Sequence, residues 1–330
     1  MGKKIAVLLF LLLGLVTAYL VIELNAGLGN ISRNLASAVP SSEESQYRIA
    51  FIYQNNNAAF WNQIKKGAAS ASGEEHVYVN FMEEIHGQEL QTLDYLRLAM
   101  DADYDGIIVQ GEDERMIPLI QEAWNAGIPS LMIASDLPDS GRLGYVGADN
   151  YRVGYVAGKT LVRSINPSVK PKFAVISPLT GSNLQMSVAE SLKVFGFREA
   201  ISSKKTVVPI WEKSNPTLID SLMVVRGLLQ KYPDLNGIYA TYPEGTQAAA
   251  RVALERNAAD RIQIIGHGDS PLIRQYLSDG IINTSIVESP YQMGYTAVQE
   301  MARYFREGRI RIAHNIDVIF LNRANLNKSK

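Results

Sequence analysis

The chain is expected to fold as α/β, with two lobes each built on a doubly wound parallel sheet. Three observations predict this. Short apolar runs without polar alternation recur along the chain, at 48–53, 106–109, 130–133, 172–176, 237–240 and 263–266; strands buried on both faces read this way. Amphipathic stretches of about ten residues or more separate many of the runs, as parallel connections require. The runs are too many for one comfortable sheet. A chain of 330 residues, 47% of them hydrophobic, can fill two compact units.

The elements follow in order. Residues 58–72 carry Ile64, Ala68 and Ala71 at helical spacing. Residues 77–81 read as a strand, and 88–102 as a helix with Leu90, Leu93, Leu96 and Ala99 on one stripe. A helix over 115–126 stops at Gly127, with Pro129 just beyond. After 145–147 comes Ala148-Asp149-Asn150 and a helix over 151–164. The pattern restarts at 172–176 and continues with a helix running through Ser202, a strand at 206–210, and Pro216 at a helix start. Strands at 237–240, 263–266 and 283–288 are separated and followed by helices at 245–258, 271–278 and 291–307, and 312–320 is a last strand.

The amino terminus is different in kind. Lys3 and Lys4 precede eighteen uncharged residues, 5–22, closed by Glu23. As a helix this run spans about 27 Å against a hydrocarbon core of about 30 Å. The basic flank stays in the cytoplasm and the body of the chain lies outside. A retained single-pass anchor is favoured over a cleaved signal peptide, because the small-residue site Ala36-Ser37-Ala38 lies some fourteen residues beyond the apolar end. Residues 25–46 read as a tether.

Composition excludes several chemistries. A net charge of −1 gives no bulk attraction to nucleic acid, and the absence of cysteine removes thiolate nucleophiles and sulfur metal ligands. His76, His86, His267 and His314 are scattered, form no i, i+4 pair and read as loop or surface residues, so no metal site is expected. Gly158-Lys159-Thr160 lacks the spacing of a phosphate loop and reads as close packing of small residues. No cofactor is called for. The carboxylates Glu83-Glu84 and Glu112-Asp113-Glu114 follow strands, as does the polar run Gln54-Asn55-Asn56-Asn57. In an open parallel sheet, ligands bind beyond the carboxyl ends of the strands. The aromatics placed there, Phe60, Trp61, Trp211 and Tyr242, can stack on a sugar face while amides and carboxylates read its hydroxyls.

Taken together, Ala59-Phe60-Trp61, Gly127-Ile128-Pro129, Ser135-Asp136-Leu137-Pro138-Asp139-Ser140 and Gly147-Ala148-Asp149-Asn150 resemble the type I periplasmic binding proteins of the ribose, xylose and galactose group. Thr180-Gly181-Ser182-Asn183-Leu184-Gln185, Ile264-Ile265-Gly266 and Ser289-Pro290-Tyr291-Gln292-Met293-Gly294-Tyr295 extend the resemblance over about 47–321. The same fold forms the effector domain of lac-repressor-type regulators.

The resemblance implies two lobes joined by a three-strand hinge and closing on a guest. The first lobe would hold 47–149 and 289–308, the second 150–288 and 309–322, with 323–330 as a tail. The crossings would fall near Asn150, Ser289 and Gly308. The resemblance assigns ligand contacts to Asn57, Phe60, Trp61, Asp136, Asn183 and Gln185. Tyr242, Asp269 and Glu288 occupy site positions where the family's usual residues have changed, and Ser187-Val188-Ala189 stands where the family places an arginine.

The function implied is a non-enzymatic extracytoplasmic receptor for a sugar or sugar derivative. It would signal by lobe closure to a membrane partner, either a sensor histidine kinase or the permease of an ABC importer. The importer role without sensing is the alternative, and an enzyme for a small polar substrate is more remote. A transcription regulator needs a DNA-binding segment where this chain has an apolar one.

Overall fold

The computed structural model describes residues 47–55, 57–84, 91–179, 186–202, 210–310 and 312–326. The expected span at 5–22 and the tether lie outside them, as do Asn183 and Gln185. Among the described residues no helix is long and apolar enough to cross a membrane.

Strands and helices alternate as expected. The first lobe runs β1 (Tyr47–Gln54), α1 (Ala58–Glu75), β2 (Val77–Glu84), α2 (Thr92–Asp101), β3 (Gly106–Val109), α3 (Met116–Asn125), β4 (Ser130–Ile133), a 3₁₀ turn (Pro138–Ser140) and β5 (Gly144–Gly147). The second runs α4 (Asn150–Ser164), β6 (Phe173–Pro178), α5 (Val188–Ser202), β7 (Ile210–Ser214), α6 (Leu218–Lys231), β8 (Gly237–Ala240), α7 (Pro243–Glu255), β9 (Gln263–His267), α8 (Pro271–Ser278) and β10 (Thr284–Val287). Then come α9 (Pro290–Glu307), β11 (Ala313–Asn315) and β12 (Ile319–Leu321).

Two six-stranded sheets result, ordered β11-β5-β4-β3-β1-β2 and β12-β10-β9-β8-β6-β7. All pairs are parallel except β12 with β10. The central strands are covered on both faces. In β1, Ile49, Phe51 and Tyr53 enter one core with α1 and α9, while Ala50 and Ile52 enter another with α2 and α3. In β6, Ala174 and Ile176 face α6 and α7, while Phe173 and Val175 face α4 and α5. This double burial explains the unbroken apolar runs.

The last expected strand proves to be two. β11 pairs with β5 in the first sheet and β12 with β10 in the second. The third crossing therefore lies at 316–318, not near Gly308, and 313–315 stay with the first lobe. Gly308 instead ends α9, with φ 69° and its N–H donated to the Tyr304 carbonyl. Asn150 and Ser289 each stand at the start of a helix.

Those two helices are fastened by backbone contact. A Cβ on Gly154 of α4 would lie 1.8 Å from the Lys193 carbonyl oxygen of α5. A Cβ on Gly294 of α9 would lie 2.0 Å from the Ile64 carbonyl oxygen of α1. Gly158 packs on Ala200 and Phe197, so the small residues of α4 serve packing, as read from the sequence. Backbone atoms cannot swing aside as a side chain can, so Gly154→Ala is expected to cost about 1–3 kcal/mol in chemical denaturation. Gly227→Ala on the exposed face of α6, where a Cβ meets nothing within 4 Å, should instead be neutral or stabilising by up to about 1 kcal/mol.

Candidate functional site

Beyond the carboxyl ends of both sheets lies a cavity of about 170 Å³ walled by the two lobes. The first lobe contributes Asn57 and Phe60 after β1, Gln110 and Glu112 after β3, and Ala134 after β4. The second contributes Pro178, Glu190, Lys193, Tyr242, Glu244 and Glu288, with Asn150 at the first crossing. Position follows from topology, since a parallel sheet delivers every loop of this kind to one edge.

Local rules set the individual side chains. Asn57 caps α1, its side chain accepting the Phe60 N–H at 3.2 Å, which fixes the ring in the first turn. Gln110 accepts the Gln54 N–H at 3.0 Å and donates to Glu112 at 2.7 Å, so its amide is tied to β1 and to the acid. Tyr242 caps α7 ahead of Pro243, and its hydroxyl lies 2.8 Å from Ser221 Oγ.

The second-lobe wall holds a buried charge group. Lys193 Nζ donates to Glu190 at 2.8 Å and lies 3.7 Å from Glu288. Thr241 donates to the other oxygen of Glu190. Burial acts to lower the Lys193 pKa, but Glu190 and Glu288 outweigh it and hold the ammonium above its ordinary range. Behind it, burial and the same ammonium hold His267 well below the ordinary histidine range, leaving a neutral imidazole 3.2 Å from the Tyr239 hydroxyl. His267 is thus a core residue, against the loop or surface reading. Across the cleft, hydrogen bonds from Tyr53 and Asn55 hold the Glu83 carboxyl below its ordinary value.

Of the residues expected to touch a ligand, Asn57, Phe60, Tyr242 and Glu288 meet at this cavity. Three others stand elsewhere. Trp61 is 1% exposed in the first-lobe core, its ring 4.6 Å from that of Tyr53. Asp136 is clasped by Arg142, which donates through Nη2 at 2.6 Å, and it borders a neighbouring cavity beside Asn150. Asp269 is exposed and bound to Arg274 at 2.8 Å. Trp211 is also exposed, on the edge strand β7. Glu190 and Lys193 were missed. Their signal was a carboxylate and an ammonium three residues apart on a helix, which reads as an ordinary surface pair.

Removing the cation tests this wall. Lys193→Met should cost about 3–5 kcal/mol in urea denaturation, because the buried Glu190 and the half-buried Glu288 lose their partner. Glu190→Gln in the same chain should recover part of the loss, giving a non-zero coupling in a double-mutant cycle.

The periplasmic binding protein domain family matches residues 49–309. The ribose import binding protein RbsB of Escherichia coli (strain K12) is 18% identical over 284 residues, 86% of this chain and 93% of that protein. Among solved structures, GanP, a glucose-galactose binding protein from Geobacillus stearothermophilus, is 28% identical with a TM-score of 0.76. That match covers 85% of this chain and 98% of GanP. XylFII, solved in a XylFII–LytSN complex, is also 28% identical, with a TM-score of 0.71 over 84% of this chain and 98% of its own.

Proposed function

Because the chain belongs to the periplasmic binding protein family, we propose that it binds a sugar or sugar derivative in the interlobe cavity and reports occupancy by closing. The observation that carries this reading is a cavity lined from both lobes by the flat rings of Phe60 and Tyr242 and by the amides and carboxylates of Asn57, Gln110, Glu112, Glu190 and Glu288. Such a set suits a molecule with apolar faces and many hydroxyls. A guest that touches both walls gains contacts only when they approach, so it shifts the open–closed equilibrium by its differential affinity. No bond needs to be made or broken.

The closed form is delivered to the permease of an ABC importer in the primary reading, which the similarity to a ribose import binding protein and to a glucose-galactose binding protein supports. A sensor role is the second reading. It is favoured by the similarity to XylFII, a protein solved in complex with LytSN, and by the uncharged run at 5–22, which would hold the receptor beside one membrane partner. In both readings the body of the chain works outside the cytoplasm.

Thermal denaturation against ribose, xylose, arabinose, glucose, galactose and inositol tests the ligand class. One of them should stabilise the protein, by about 2.7 kcal/mol at a hundred times its Kd. Phe60→Ala should weaken that binding at least about tenfold, roughly the 1.4 kcal/mol that the ring face supplies. A flat panel with well-folded protein would overturn the sugar reading. Fractionation bears on the anchor: intact chain should stay with the membranes, and a soluble form starting near Val39 would refute retention.

A further inference from the structure

The cleft does not end at the first cavity. Beside it lies a second of about 250 Å³, and Asn150 and Ala189 line both. What the two chambers share as a wall is thus one amide and one methyl group. The second chamber also draws on both lobes. Asp136 comes from the loop after β4 and Asn315 from the end of β11, while Tyr151 and Leu192 stand on α4 and α5.

Its walls repeat the chemistry of the first. Tyr151 brings a ring, its hydroxyl donating to Glu199 at 3.0 Å, and Leu192 an exposed apolar side chain. Asp136 brings a carboxylate fixed in place, because Arg142 grips both of its oxygens. Those two contacts still leave it lone pairs for hydroxyls. The sharper sign stands between the chambers. Asn150 is only 7% exposed and donates its amide N–H to the Tyr145 hydroxyl at 3.4 Å, yet its side-chain oxygen accepts from no described residue. A buried acceptor without a donor is costly, and a hydroxyl lying between the chambers would supply one. A guest confined to the first chamber makes no use of Asp136, Tyr151 or Asn315.

We propose that the guest is a disaccharide. One ring lies against Phe60 in the first chamber, the other beside Asp136 and Tyr151 in the second, and a hydroxyl next to the linkage donates to Asn150. The proposal rests on the sugar reading above and adds to it the size of the sugar. It also gives a role to Asp136, which the first cavity leaves aside.

Calorimetry on the whole protein tests it with disaccharides and their component sugars: lactose, melibiose, cellobiose and xylobiose against glucose, galactose and xylose. At least one disaccharide should bind about tenfold tighter than either of its components, the worth of one or two added hydrogen bonds. Leu192→Trp fills the second chamber and Asn315→Ala strips an amide from it, both at exposed positions where the fold tolerates change. Each should bring the ratio of disaccharide to monosaccharide affinity down toward one. A component sugar that binds as tightly as every disaccharide containing it overturns the proposal and leaves the sugar reading standing. So does a ratio that neither variant moves. If no sugar of either size binds the well-folded protein, the sugar reading falls and the proposal with it.

Discussion

The buried ammonium of Lys193 is the interaction on which the cleft depends. It joins α5, through Glu190, to the second crossing, where Glu288 stands one residue ahead of Ser289. Glu190 in turn takes the hydroxyl of Thr241, just after β8. One cation thus ties together the helix, the sheet and the hinge strand of the second lobe. Exchanging such a group for apolar residues often costs nothing in stability. Its use here is positional, since it fixes where acceptors stand along the wall that a guest meets.

The rest of the site follows from sheet topology and caps. A parallel sheet gathers its strand-end loops, and the cap at Asn57 sets the angle of Phe60. The glycines of α4 and α9 let the helices that follow the first two crossings lie against their neighbours at backbone distance. That close approach fastens each helix to its neighbour within one lobe.

Much of this was legible in the chain. Double burial writes the central strands as unbroken apolar runs, so most of the alternation could be read directly; β7 (Ile210–Ser214), with Glu212 and Lys213, begins only at the last residue of the run expected at 206–210, the rest of which lies outside the described residues. The polar loops after β1 and β3 stand at the edge where the cavity lies. What escaped depends on three-dimensional pairing. Phe60 and Trp61 are adjacent on a helix and so point about 100° apart; one faces the cleft and the other the core. The Arg142 that occupies Asp136 lies six residues downstream with no periodic cue. Glu190 and Lys193 looked like a surface pair because sequence does not show what covers a helix face. The run at 312–320 hid a change of sheet, since each half is a strand of only three residues.

That change of sheet bears on how the molecule is made. The second lobe is almost complete once residue 287 has left the ribosome, lacking only β12. The first lobe, though its strands emerge earlier, waits for α9 to cover the face of Ile49, Phe51 and Tyr53, and for β11 to finish its edge. The first lobe gains its covering helix only late in synthesis, and through that interval its half-covered sheet is the part most in need of a chaperone.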